Sequence, residues 1–418
     1  MLCVIDDKAV RSDIYINGGT ILAVGEKPLD FIADKIISGR DRLAIPALIN
    51  CHTHSYMSVF RNIADDLPFN EWLFDRIMPL ENIIDSSDAY WGCLLACIEM
   101  IRSGTSTFCD MHMFPNTTPE AALKSGMRAV VTRGLSGGGG DTGGSRRINE
   151  AIAEIEMFSG EELLSFMIAP HAVYTCDREY LLKAVKLAEK LSLPLNTHLS
   201  ESAFEVSSCI SENGLTPVGY LDSLGFFRQK TLAAHCVHIT EEDMDILAEN
   251  SVSVAVNAKS NLKLGNGIAP VKRLLEKGVN ICLGTDGAAS NNSLNLFSEM
   301  NFNSLLHKGI SGDASAVSAA DVFSFATENA ANALGIEKTG KIKAGYKADI
   351  AILDTSCPQM QPMNNPVSAL CYSANGGEVV TTIINGKIVM EDRVLTEIDE
   401  QEVYYNIERI KKKLKEKR

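Results

Sequence analysis

Between Leu43 and Gly284, eight short apolar runs alternate with longer amphipathic stretches, and few folds accommodate such a rhythm. The runs are LAIPALIN, TSTFCD, RAVVTR, FMIAP, LPLNTH, TLAAH, SVSVAVN and VNICLG. Each reads as a strand of a parallel sheet, because a strand covered on both faces has no need of polar alternation. Intervening segments such as DAYWGCLLACIEMIRSG, REYLLKAVKLAEKLS and APVKRLLEKG carry apolar residues at i, i+3 and i+4, the spacing of helices lying on a sheet. Eight βα units in succession predict an α/β chain built on a (β/α)8 TIM barrel with insertions. The flanks lack this rhythm. SDIYIN, TILAVG and DKIISG precede it, while ADIAILD, VVTTIINGKIVMED and RVLTEI follow Gly345, all as short β segments between turns. The expected organisation is residues 1–45 as one part of a small β-sandwich, 46–344 as the barrel, and 345–418 as the second part with a C-terminal helix.

Composition narrows the class of protein. With 45% hydrophobic and 22% charged residues, the 418-residue chain has the makeup of a soluble globular protein. Its 39 Lys and Arg against 53 Asp and Glu give a net charge of −14, which opposes binding to nucleic acid or an anionic membrane. The opening MLCVIDDKAVRSD is too acidic for a signal peptide, and the apolar window from Tyr90 to Ile101 contains Glu99 and is too short to span a bilayer. Eleven cysteines without a CxxC pair fit reduced thiols and predict a cytoplasmic protein. The glycines Gly137 to Gly140 lack the GK[ST] ending of a phosphate-binding loop and read as an active-site loop.

Chemistry concentrates at strand ends. His52 and His54, in NCHTH, are two apart at the end of the first run, so a strand points both rings to one face. His198 ends LPLNTH, His235 ends TLAAH, and Asp286 follows ICLGT. Any one of these could be a hydrogen-bonded strand end or a helix cap. On one barrel rim they instead form a nitrogen and oxygen set suited to Zn²⁺ or Fe²⁺. Glu201, three residues beyond His198, either favours a helix N-terminus or shuttles protons beside a metal.

The motifs NCHTH, PFNEWLFDRIMPLE, GTSTFCDM, PHAVYTC, NTHLSE, AAHCVH, SNLKLGNG, LGTDGAASNN and GKIKAGYKADIAILD together resemble the amidohydrolase superfamily. Within it they are most similar to the aminohydrolases of 5′-methylthioadenosine and S-adenosylhomocysteine. The resemblance implies His52, His54, His198 and Asp286 as ligands of one divalent metal per chain, Zn²⁺ or alternatively Fe²⁺. It also implies Glu201 as proton shuttle, with His235 and Asp286 orienting the reacting groups. FMIAPH offers no lysine to bridge a second metal. The substrate contacts it implies are His171 and Trp72 in the pocket, Glu81 on the ribose hydroxyls, and Arg133 and Arg146 on the carboxylate of a homocysteine tail. Val173 and Ala258 stand where the family often has proline. The expected partners are a small-molecule nucleoside and further copies of the chain, with neither nucleic acid nor membrane. The competing expectation is a different amidohydrolase reaction on the same metal: free-base or pterin deamination, or triazine hydrolysis.

Overall fold

The computed structural model describes residues 1–6, 8–138, 141 and 143–417. The alternating rhythm appears as parallel strands: β1 (Leu48–Thr53), β2 (Thr105–His112), β3 (Arg128–Leu135), β4 (Leu164–Phe166, resumed at Ala169–Pro170), β5 (Leu195–Leu199), β6 (Thr231–His235), β7 (Ser253–Val256) and β8 (Asn280–Leu283). Strands β1 to β4 pair in chain order, and so do β5 to β8. Backbone hydrogen bonds tie Ile168, in the gap of β4, to Pro194 just before β5 and to Asn196 within it. Past the end of β8 the Asp286 N–H donates to His52 O of β1 at 2.9 Å.

Alternate side chains of these strands turn inward. Ile49, Cys51, Cys109, Val130, Met167, Leu232, Ala255 and Cys282 form one buried cluster beneath the polar strand ends. Outside lie helices that the periodicity foretold, among them Ser86–Arg102, Arg178–Leu191 and Val271–Glu276. The first two start on aspartate caps, Asp85 and Asp177, whose side chains accept a backbone N–H of the first turn. All eleven cysteines are unpaired, and among the described residues no helix is long and apolar enough to cross a membrane.

Both ends of the chain build a second sheet. Its seven strands run in the order Val394–Leu395, Lys387–Glu391, Val379–Ile384, Ile350–Asp354, Arg42–Pro46, Leu2–Ile5 and Lys8–Arg11, and a hairpin of Ile14–Asn17 with Thr20–Val24, not hydrogen-bonded into the sheet, packs Ile21 against its Cys3, Ala44 and Ile350. Three details differ from expectation. LAIPALIN is not one strand: Arg42–Pro46 pairs with Ile350–Asp354 in the terminal sheet, the Ala47 N–H still reaches Asp349 O, and only at Leu48, whose N–H turns to Gly104 O, does β1 begin. DKIISG forms no strand, its Ile36 being 83% exposed with no sheet face to cover it. Leu2–Ile5 and Lys8–Arg11, too short to show periodicity, are strands. Of the glycine run, Gly139 and Gly140 lie outside the described residues.

Candidate metal centre and substrate pocket

The strand-end histidines converge. Ligand nitrogens of His52, His54 and His198 lie within 4.8 Å of one another, and all three residues are buried. Asp286 Oδ1 stands 3.7 Å from His52 Nε2 and 3.4 Å from His54 Nε2. Its other oxygen is held by Ser260 Oγ at 2.6 Å and Ser290 Oγ at 2.9 Å, which fixes the carboxylate's orientation.

Hydrogen bonds identify the atoms that face inward. His54 Nδ1 is 2.7 Å from Met111 O, and His198 Nδ1 is 2.8 Å from His171 O. A carbonyl oxygen only accepts, so each Nδ1 carries the hydrogen and each Nε2 of a neutral ring presents a lone pair. Those two Nε2 atoms are 3.2 Å apart. Two lone pairs at that distance repel unless a cation lies between them. Burial holds His52 and His198 well below the ordinary imidazole range, which favours neutral rings with available lone pairs. Among the described residues His52 has no hydrogen-bond partner on either nitrogen despite complete burial, as fits a ring kept for a metal. The donor set therefore fits a divalent ion.

Glu201 lies beside this centre. Asn266 Nδ2 donates to its Oε1 at 2.9 Å, and its Oε2 is 3.7 Å from His235 Nε2. Burial first, and the Asp286 charge second, raise its carboxyl well above the usual range. His235 Nδ1 meets Asn261 Oδ1 at 2.7 Å, leaving Nε2 toward Glu201. Two of these residues have a left-handed backbone, His235 at φ +76° and Asp286 at φ +62°. Non-glycine residues rarely hold such angles except where surroundings enforce them, often at functional sites. Ser200, at φ +51°, precedes Glu201, and the Glu205 carboxylate accepts the N–H groups of both at 2.9 and 2.8 Å.

The remaining expected contacts surround the centre unevenly. His171 is half-buried, its ring 4.5 Å from that of His198, and burial lowers its pKa to about 3. Trp72, on the helix Glu71–Ile77, is 6% exposed and donates Nε1–H to Ala289 O in the loop after β8. Glu81 follows on Met78–Glu81 and accepts a short hydrogen bond from Tyr56 Oη–H. Arg133, on β3, is buried and reaches Glu150 Oε2 at 2.8 Å. Arg146 lies on the helix Gly144–Phe158, is 62% exposed, and reaches Glu150 Oε1 at 2.5 Å. The two arginines thus meet on one internal carboxylate.

Sequence reasoning did not single out Asn261, Asn266, Ser260, Ser290, Tyr56, Glu150 or Arg147. Ser260 and Asn261 lie in NAKSN, where Ala258 opens the short helix Ala258–Lys263, so that motif held the signal. Arg147, next to Arg146, donates to Ser136 O at 2.9 Å.

Residues 43–389 match the family described as the Amidohydrolase family. A 5-methylthioadenosine/S-adenosylhomocysteine deaminase of Caldanaerobacter subterraneus subsp. tengcongensis is 41% identical over 413 residues, covering 98% of this chain and 95% of that protein. A 5′-deoxyadenosine deaminase of Methanocaldococcus jannaschii is 42% identical over 402 residues, 95% of each. Among solved structures, an adenosine deaminase from Xanthomonas campestris with bound zinc superposes with a TM-score of 0.94 at 30% identity, covering 99% of this chain and 97% of that one.

Proposed function

The chain belongs to the amidohydrolase family, and from that premise we propose that it is a metal-dependent deaminase of adenosine-type nucleosides bearing a 5′ substituent. The observation that carries the reading is the pair of Nε2 lone pairs 3.2 Å apart, with the buried Glu201 carboxyl close by. That arrangement suits activation of water beside a proton shuttle.

In this reading His52, His54, His198 and Asp286 hold one divalent ion per chain, Zn²⁺ or Fe²⁺. When bound, the ion supplies Lewis acidity, lowering the pKa of water from 15.7 toward about 7. Glu201 takes a proton from the attacking water and delivers it to N1 of the purine as oxygen bonds to C6. His235 Nε2 and the Asp286 carboxylate hold that oxygen in line. C6 becomes tetrahedral, Glu201 takes the proton of the new C6 hydroxyl and passes it to the amino group, and the C6–N bond breaks as the C6 carbonyl forms, releasing ammonia and the inosine-type product. Protonation is required because an amide-like anion is a very poor leaving group. Glu81 accepts the ribose hydroxyls, His171 and Trp72 line the pocket, and Arg133 with Arg146 face a carboxylate on the 5′ tail.

The same proposal includes a closed (β/α)8 barrel spanning residues 46–344. A small β-sandwich is built from 1–45 and 345–418, and the protein is a cytoplasmic homo-oligomer. The Asp286 to His52 and Ile168 to Pro194 hydrogen bonds support closure, since they bridge the edges of the two strand groups.

Ammonia release across a panel of 5′-substituted adenosines, free bases, pterins and triazines tests the function. Equimolar ammonia and inosine-type product from the nucleosides is expected. Turnover confined to a free base, a pterin or a triazine would overturn the substrate assignment.

A further inference from the structure

The motif GTSTFCDM contains an aspartate that the proposed chemistry does not use. Asp110, on β2, is wholly buried, as are Thr53, Ser55 and Thr118 around it. Its Oδ1 accepts Thr53 Oγ1–H and the Ser55 N–H, both at 2.6 Å, and its Oδ2 accepts Ser55 Oγ–H at 2.8 Å and Thr118 Oγ1–H at 2.5 Å. A carboxylate offers about four acceptor positions, and these donors fill them. Three of the four donors belong to the residues that flank His54.

The backbone at that point needs fixing. From Asn50, opposite Phe108, to Thr53, opposite Asp110, β1 uses one residue more than β2, so the register shifts around Cys51 and His52. A slip of one residue turns the side chains that follow to the opposite face. His54 also falls between two elements, since β1 ends at Thr53 and the short helix Ser55–Phe60 starts directly after it. Asp110 spans this junction, holding the residue before His54 and the residue after it. From the other side it is held by Thr118, on the helix Thr117–Ser125, while Thr132 Oγ1 donates to its main-chain oxygen at 2.7 Å. The next residue, Met111, supplies the carbonyl that accepts from His54 Nδ1.

We propose that Asp110 is a positioning residue of the metal centre: its carboxylate fixes the register of residues 53–55 and so keeps His54 Nε2 facing His198 and Asp286. The inference rests on His54 being a metal ligand, as in the proposed function. Without the carboxylate, two hydroxyls and one N–H of the ligand segment would be buried with no acceptor, and they would regain partners only by moving that segment. A ligand set held in place beforehand binds more tightly than one that must be ordered by the ion.

The test titrates the Zn²⁺-loaded, full-length protein with a chromogenic chelator, for the wild type, Asp110→Ala, Thr118→Val and His54→Ala, with circular dichroism checking the fold of each. Asp110→Ala is expected to lower Zn²⁺ affinity by about 10 to 100-fold, the range for a lost outer partner of a metal ligand. Thr118→Val, which removes only the donor on the helix side, should lose far less. In the Co²⁺-loaded protein the visible absorption band, which reports the ligand set, should change in Asp110→Ala and stay as in the wild type in Thr118→Val. A merely structural role would lower thermal stability and leave both readouts alone. An Asp110→Ala protein with the affinity and Co²⁺ band of the wild type overturns the proposal, as does an equal loss in Thr118→Val, which would mean that the carboxylate acts through the helix. Should Asp110→Ala fail to fold, Thr53→Val removes one donor of the ligand segment while keeping its shape. About tenfold weaker Zn²⁺ binding is expected there, the scale of one hydrogen bond to a charged group, and an unchanged affinity overturns the proposal. His54→Ala separates the two readings: wild-type affinity in that variant rejects the ligand assignment itself, whereas a loss in His54→Ala without one in Asp110→Ala rejects the role of Asp110 alone.

Discussion

The histidine cluster sits at the ends of parallel strands, while the group of Arg133, Glu150 and Arg146, the mouth, joins the end of β3 to the helix Gly144–Phe158, and the two are held in opposite ways. In the cluster, His54 and His198 are fixed by the carbonyls of Met111 and His171, and Asp286 by two serine hydroxyls. Neutral partners set tautomer and direction without neutralising any charge that faces inward. At the mouth, Arg133 and Arg146 are held by the carboxylate of Glu150, and exposure grows outward. There the partners compete with any ligand for the same charges. In the proposed function the first region serves one chemistry and the second the choice among related molecules. Perturbing the cluster should therefore abolish turnover of every substrate, and perturbing the mouth should alter the ratio between substrates.

The largest effect is expected from His52→Ala or Asp286→Ala. Each should strip the metal and reduce kcat by more than about 10⁴-fold, the top of the range for a lost acid–base group. Elemental analysis should find one Zn or Fe per wild-type chain and little in either variant. Two metals per fully active chain would break the single-ion assignment. Next comes Glu201→Gln, which keeps shape and hydrogen bonding but cannot cycle a proton. Metal content should be unchanged while kcat falls by about 10² to 10⁴-fold. A variant retaining roughly a tenth of wild-type kcat, well above that range, would show that another group shuttles the proton.

Legibility differs between the two regions for a physical reason. Parallel strands covered on both faces are continuous apolar runs, so all eight could be read, and polar residues closing such runs pointed to His52, His54, His198, His235 and Asp286. LAIPALIN misled because one apolar run serves two sheets, and nothing in hydrophobicity marks the change between Pro46 and Leu48. The left-handed backbone at His235 and Asp286 was invisible, since neither is glycine or asparagine and the conformation is imposed by tertiary contacts. The tautomers were equally hidden, because Met111 and His171 contribute main-chain atoms common to every residue. At the mouth, Arg133 and Arg146 were implied only by the family resemblance. Their meeting on Glu150 depends on how the helix Gly144–Phe158 sits against β3, which no local pattern encodes.

Glu81 lies between the two regions and should behave as an intermediate. Glu81→Ala also frees the Tyr56 hydroxyl, so some general loss is expected. Its particular signature is that every ribonucleoside weakens, by about 10 to 150-fold in kcat/KM for a lost charged hydrogen bond. A 2′,3′-dideoxy analogue should lose little further on the variant. Steady-state kinetics with the pair decides this: equal losses on both would remove Glu81 from ribose recognition.

The smallest effects are expected at the mouth, where they separate Arg133 from Arg146. Arg133 is 4% exposed and, among the described residues, its Nε–H has no partner, so its bond to a substrate carboxylate would be shielded from water. Replacing it should penalise S-adenosylhomocysteine over 5′-methylthioadenosine by about 10 to 150-fold in kcat/KM, because only the former has a carboxylate. Arg146, at 62% exposure, makes its ion pair with Glu150 one helical turn away in a well-solvated position. Exposed i,i+4 pairs contribute about 0.3–0.5 kcal/mol, so Arg146→Ala should barely move the thermal midpoint and should shift the substrate ratio only a few-fold. The ratio for Arg146→Ala should also shrink as salt rises, since solvent-exposed charges are screened over about 10 Å at 0.1 M ionic strength. Measuring both variants at low and high salt tests the gradient directly. If Arg146→Ala changed the ratio as much as the Arg133 variant and did so independently of salt, the carboxylate would lie at the outer end of the mouth, and burial would not be what gives this region its selectivity.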